Sequence, residues 1–461
     1  MSDASSPRGS SEPSAQADPG PGTRPVGRAP ASERWLVFVL TTMGMLAAVD
    51  RQILSLLINP IKADLGLTDV QISLVIGAAF ALAHIAFTLP AGYIADSRSA
   101  RMLVAGGGWV WSIMTMGCGV TTNFIQMFVM RAGVGAGEAA INPGALAILR
   151  RAIPSERRGR AFGTFYMSLM IGAAIAVLVG GLLVGAIERN RDAFGGIMSD
   201  ISPWRVALFI VGGIGIPISA LMLTIRIPAA QAARPPERGV AQDAPAKADA
   251  DPVSFRAALY FISANRRFYL PLWVSNVAFM LNTAAFAGWL AAMAQRNFGL
   301  SAQDTGIALG SAMLIMPQLG LLVSGRLIDR LGVGLGLKGA SLVGAIGATG
   351  FWLGATLVPQ MQTEMAFFAA LWISYLFCQA PMPAYATLLS AITPAELMGK
   401  ITSIQLILLG VLGMAIGPTL VALVSDNFLS GPRAIANALS IVAFSVGWIP
   451  VVGFLALRRV L

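Results

Sequence analysis

Apolar residues come in runs along this chain that are too long for the core helices of a soluble domain and too irregular for strands. Windows of roughly 20 mostly apolar residues recur at 35–58, 69–94, 102–122, 124–149, 160–187, 204–226, 268–295, 303–327, 338–358, 364–391, 398–425 and 433–457. Each is long enough to cross a hydrocarbon core as a helix. Barrel strands would be about ten residues long and would alternate strictly, and none of these runs does. The pattern predicts an all-α polytopic membrane protein with twelve transmembrane helices, here numbered spans 1 to 12.

Polar segments divide the chain into four parts. Residues 1–33, rich in Ser, Pro, Gly and Ala and without an apolar signal segment, read as a disordered cytoplasmic tail. Residues 34–227 form a six-span bundle. Residues 228–266 form a cytoplasmic linker; its Pro-, Ala- and charge-rich stretch ends in a possible amphipathic helix, Ser254 to Phe268, on the membrane surface. Residues 267–461 form the second six-span bundle.

Composition changes the picture little but excludes much. The chain is 56% hydrophobic and 12% charged, with a formal net charge of +10. Of its 32 Lys and Arg, 24 fall in the tails and even-numbered loops, which is the positive-inside pattern with both termini cytoplasmic. Topology therefore accounts for the basic excess, and nucleic acid is not an expected partner. Two Cys and one His give no metal-ligand cluster, and no cofactor is expected. Zinc-peptidase, serine-hydrolase and P-loop motifs are absent. The G-x-G-x-x-G at Gly334–Gly339 lies in a loop with no preceding strand. An enzyme is not expected.

Four charges lie inside spans, where an ionisable group is costly and a functional hypothesis by default. They are Asp50 and Arg51 in span 1 and Arg131 and Glu138 in span 4. Positions 131, 135, 138 and 142 fall on one helical stripe, Arg131–Gly135–Glu138–Asn142. Asp50 and Arg51 point about 100° apart, so the economical arrangement sets Asp50 against Arg131 and leaves Arg51 for a carbonyl, another acid or the cavity. A guanidinium that changes partner between Asp50 and Glu138 would leave one carboxylate to take up a proton, coupling protonation to shape. A static ion-pair network fixing helix register is the alternative. His84 in span 2 is a minor candidate for the cavity, with hydrogen-bonded packing as its alternative role.

A repeat supports the two-half division. GYIAD (Gly92–Asp96) ends span 2 and GRLID (Gly325–Asp329) ends span 8, each followed by basic residues. With Arg101 and Arg330, these residues form a candidate cytoplasmic gate: Gly92, Asp96, Arg101, Gly325, Asp329 and Arg330.

These segments carry a resemblance to the major facilitator superfamily, and within it to the bacterial spinster-like branch. The matching stretches are Val49–Leu82, Gly92–Arg101, RAGVGAGEA at Arg131–Ala139, Arg150–Ala161 and Gly417–Phe428. The resemblance implies the major facilitator fold of two pseudo-symmetric six-helix bundles. It also implies proton-coupling roles for Asp50, Arg131 and Glu138. Ser97, Ser99 and Ala100 depart from the usual loop pattern. Span 5 lacks the G-x-x-x-G-P of antiporter-type members, while GMAIGP (Gly413–Pro418) stands in span 11.

The second half holds no deep charge. Its candidate cavity residues are Asn276, Asn282, Phe286 and Trp289 in span 7 and Tyr375, Gln379, Met382 and Tyr385 in span 10, where Pro381 and Pro383 interrupt the helix. One charged wall and one greasy wall suit an amphipathic or hydrophobic small organic solute: a lysolipid-like molecule, organic acid or drug. Spinster relatives are associated with sphingolipid and lysophospholipid transport, which agrees. The expected activity is secondary active, proton-coupled transport by alternating access in a bacterial inner membrane, by a monomer whose partners are solute, protons and lipid bilayer. A proton-independent uniporter and a transporter-like sensor or scaffold are the alternatives.

Overall fold

The computed structural model describes residues 30–97, 100–190, 201–225 and 255–461, apart from the side chains of residues 96, 97, 155, 156 and 395. The expected tail, up to residue 29, and residues 228–254 of the expected linker lie outside the described residues. Every regular element among those described is helical.

Among the described residues ten helices are long and apolar enough to cross a membrane. They supply span 1 (Ala31–Leu65), span 2 (Asp69–Ala95), span 5 (Arg157–Arg189), span 6 (Pro203–Thr224), span 7 (Arg266–Phe298), span 8 (Ala302–Leu335), span 9 (Leu337–Gln360), span 10 (Glu364–Ile392), span 11 (Glu396–Phe428) and span 12 (Ala434–Val460). The expected third and fourth spans are built differently. Span 3 is the 19-residue helix Ala100–Cys118. Span 4 is broken into Phe124–Glu138 and Ile141–Ala152. Proline explains the break: Pro143 lacks the N–H that would bond the Ala139 carbonyl, and its ring crowds that turn. Span 10 breaks at the matching place, between Glu364–Cys378 and Met382–Ile392, next to Pro381 and Pro383. A helix Phe255–Ala264 precedes span 7 and exposes Phe255, Leu259 and Tyr260.

Packing repeats between the halves. Span 1 lies on span 5, span 2 on span 4 and span 3 on span 6; span 7 lies on span 11, span 8 on span 10 and span 9 on span 12. Large apolar side chains such as Phe38, Leu89, Ile125 and Leu322 are exposed on the outside, where lipid would cover them.

The connections repeat too. Span 1 ends at Gly66 and span 7 at Gly299, with φ of 63° and 65°. This left-handed cap strongly favours glycine. Two residues later Thr68 and Ser301 cap the next helix by accepting from the Gln71 and Asp304 amides. Leu65-Gly-Leu-Thr68 and Phe298-Gly-Leu-Ser301 are thus one connection used twice.

The halves meet unevenly. Where span 5 crosses span 8, a Cβ on Gly181 would lie 2.8 Å from the Ala302 carbonyl, and one on Gly310 2.5 Å from the Leu178 amide. Where span 2 meets span 11, a Cβ on Gly77 would lie 3.3 Å from the Ala415 carbonyl; π-helical turns, Leu74–Ala79 and Leu409–Ala415, face each other there. Toward the end carrying both termini, no described residue comes within 4 Å of a Cβ placed on Gly92, Gly163, Gly325 or Gly399 of the same four spans. The halves therefore converge at the opposite, distal end and splay at the terminal end.

Candidate functional site

Spans 1 and 4 cross where the four embedded charges lie. Asp50 and Arg131 are 1% and 2% exposed, and Arg131 Nη1 donates to Asp50 Oδ2 at 3.2 Å. Thr115 of span 3 donates to the other Asp50 oxygen at 2.5 Å. Arg51 reaches the other acid and donates to Glu138, the last residue before the break in span 4. Each carboxylate thus has its own guanidinium from the crossing span. The two pairs differ in exposure, since the Arg51 side chain is 36% exposed and that of Arg131 only 2%.

One aromatic ring serves both cations. The Arg51 and Arg131 guanidiniums lie 4.8 and 5.6 Å from the Phe80 centroid, within the range of cation–π attraction. Gly135 permits that approach, because a Cβ there would lie 2.4 Å from the Phe80 carbonyl oxygen. Arg131 is nevertheless under-satisfied. Its Nε and Nη2 are buried and find no acceptor among the described residues, which is unusual for a buried ionised group. Spans 3 and 4 also approach closely through glycines: a Cβ on Gly107 of span 3 would lie 2.6 Å from the Gly137 carbonyl.

The other expected residues are placed as follows. His84 stacks on Phe80 with centroids 5.3 Å apart and lies beside the Gly135 backbone, so it borders the charged cluster. Asn142 follows the break, off the continuous stripe drawn through Arg131 and Glu138, and its Oδ1 has no partner among the described residues. Asn282 is buried against Gly447. Phe286 packs edge-on against Phe351 and Tyr375, and Trp289 donates to the Pro418 carbonyl at 2.8 Å, so these rings are enclosed within the second half. Asn276 is buried with its Oδ1 unpartnered, and Tyr385 hydrogen-bonds Ser275. Gln379 lies at the span 10 break, just before Met382.

At the terminal end Asp329 and Arg330 are exposed, and Gly92 and Gly325 have open space around them. Arg101 donates to the Ile225 carbonyl at 2.9 Å, within the first half. The Asp96 side chain lies outside the described residues.

A polar clasp at the distal end was not foreseen. Arg296 of span 7 forks onto Asp69 at the start of span 2, with bonds of 3.1 and 3.0 Å, and its Nε donates to Asn59 at 2.7 Å. Lys62 also donates to Asp69, at 2.5 Å. Asn59 donates to Gln295, and the Val70 amide donates to Asp426 of span 11 at 3.0 Å. Arg189 of span 5 donates to Gln303 of span 8. Most of these residues stand near span ends, where charge is ordinary. The only sequence signal for them was the repeated Gly-Leu-Thr/Ser connection, which marks the distal ends of spans 1 and 7.

Comparison with known proteins decides the family. The profile of the Major Facilitator Superfamily matches residues 40–418. The chain belongs to the Major Facilitator Superfamily. It is 29% identical over 297 residues to an "MFS-type efflux pump" of Mycolicibacterium smegmatis, an alignment covering 64% of this chain and 62% of that relative. It is 24% identical to human "Protein spinster homolog 1", covering 91% of this chain and 80% of that protein. Among solved structures, a bacterial homologue of the human lysosomal transporter spinster, inward-facing and unoccupied, superposes with a TM-score of 0.77 at 20% identity. That match covers 94% of this chain and 98% of the other, and it shows the shared fold. The chain is thus a multi-pass membrane protein of a superfamily whose members move small solutes.

Proposed function

We propose that this protein is a proton-coupled secondary transporter of amphipathic organic solutes, working by alternating access in a bacterial inner membrane with both termini in the cytoplasm. The observation that carries the reading is the pair of carboxylates, Asp50 and Glu138, each matched to a guanidinium from the crossing span inside an otherwise apolar bundle. Their cations are unequally secured. Arg131 holds Asp50 through one hydrogen bond and keeps two of its three nitrogens unpartnered among the described residues, so small movements of span 1 against span 4 shift it toward another acceptor. A carboxylate left without its cation in a low-dielectric interior takes up a proton, and a returning cation expels it. Rocking of the halves thereby moves protons.

With the distal end clasped and the terminal end splayed, this conformation is the one open to the cytoplasm. Arg51, part-exposed beside Phe80 and His84, is the group that meets the ionic head of a solute arriving from that side. The aromatic rings of span 7 and span 10, buried within the second half, keep the interior of that half apolar.

The test is reconstitution into liposomes carrying an imposed pH gradient, with radiolabelled zwitterionic and anionic lysolipids and apolar organic acids as candidate solutes. Accumulation that follows the gradient and collapses with a protonophore supports the reading. Downhill flux indifferent to the gradient identifies a uniporter and removes the coupling.

A further inference from the structure

The distal face holds a cavity that the transport cycle as described does not use. Its volume is about 640 Å³ and its lining is Asn59, Lys62, Ala63, Gly66, Leu67, Gln295 and Arg296, drawn from both halves. Its hydrogen-bonding capacity is lopsided. Asn59 spends both amide N–H bonds on the Ala292 carbonyl and Gln295, and its oxygen accepts from Arg296. Asp69 is covered, with its side chain 6% exposed beneath the two cations. Among the described residues Lys62 uses one of its three N–H bonds and Arg296 three of its five. What the cavity offers to solvent is therefore mainly donors.

We propose that this cavity is an anion-binding site for a phosphate-type group, held by the unused N–H bonds of Lys62 and Arg296 with the remaining Gln295 N–H beside them. Lys62 belongs to the first half and Arg296 to the second, so an occupant ties the halves together and favours the distal-closed form. The group is either a free phosphate or the phosphorylated headgroup of a lipid at that membrane face. The site stands apart from the Asp50–Glu138 cluster and does not depend on proton coupling.

The experiment is a thermal-unfolding titration of the full-length purified protein with inorganic phosphate at low millimolar concentration, against sodium chloride of equal ionic strength. Phosphate also stabilises proteins generally by exclusion from their surface. The comparison is therefore made with Lys62→Gln, which keeps the Arg296–Asp69 fork, and with Lys62→Arg, which keeps a donor-rich cation. A saturable rise of about 3 °C in wild type, retained in Lys62→Arg and lost in Lys62→Gln, supports the site. An absent rise, or an equal one in Lys62→Gln, overturns it. Repeating the titration in nanodiscs names the source: a phosphate response lost in phosphatidylglycerol but present in phosphatidylcholine assigns the site to a lipid headgroup. A response present in both assigns it to a soluble anion.

Discussion

Replacing Arg296 by Gln removes the strongest polar tie between the halves, and its cost follows from the clasp. Three bonds are lost across the interface, two to Asp69 and one to Asn59, at 2.7–3.1 Å. Each is charge-assisted, a class worth about 1.5–3 kcal/mol when fully buried. The Arg296 side chain is 23% exposed, however, and Asp69 keeps Lys62, so solvent and the surviving cation return much of that energy. A net loss of about 2 kcal/mol is expected, which raises the ratio of distal-open to distal-closed molecules about 30-fold. Leu67, 6% exposed beside the clasp, is the reporter position. With Cys118 and Cys378 replaced by Ala, Leu67→Cys is labelled from the distal side with a membrane-impermeant maleimide. When opening is fast and the open form rare, the labelling rate follows its population. Arg296→Gln should speed labelling about 30-fold. A rate within about twofold of the parent would show that the fork does not hold the halves together.

Four further outcomes are expected. Asp426→Ala removes the carboxylate that accepts the Val70 amide at the start of span 2, and labelling at Leu67→Cys should rise several-fold, less than for Arg296→Gln, in the same assay. Gly135→Ala forces a Cβ to within 2.4 Å of the Phe80 carbonyl, so thermal unfolding in detergent should show a loss of about 1–3 kcal/mol. Gly92→Ala, with nothing within 4 Å of the added atom, should be neutral. Phe80→Ala strips the ring from both guanidiniums and should weaken solute-coupled proton movement by about tenfold, read as initial rate in proteoliposomes, at an interaction cost of about 1–2 kcal/mol.

Much of the central cluster was legible because charge in hydrocarbon has so few solutions. Asp50 must find a cation, Arg131 lies on the span that can supply one, and adjacency turns Arg51 toward a different partner. The cation–π role of Phe80 was hidden, since an apolar ring in an apolar span carries no signal of what it faces. The continuous stripe through Asn142 assumed a regular helix, and Pro143 cuts it by removing one backbone donor. The same chemistry was read in span 10 from Pro381 and Pro383, where two prolines stand together. The π-helical turns of spans 2 and 11 leave no mark in periodicity, because one extra residue per turn is lost within an apolar run. The distal clasp escaped for the opposite reason to the embedded charges. At a span end Asp69 and Arg296 have water as an alternative, so nothing in their types demands that they meet across 227 positions.

The central claim is that Asp50 and Glu138 carry the proton while the bundle supplies the movement. Its most direct test compares two fluxes in one set of proteoliposomes: solute-driven pH change, read by an internal dye, and solute–solute counterflow, which needs rocking but no net proton transfer. Wild type should show both. Asp50→Asn and Glu138→Gln should keep counterflow and lose the pH change. Variants that still move protons with solute at the wild-type ratio would contradict the account.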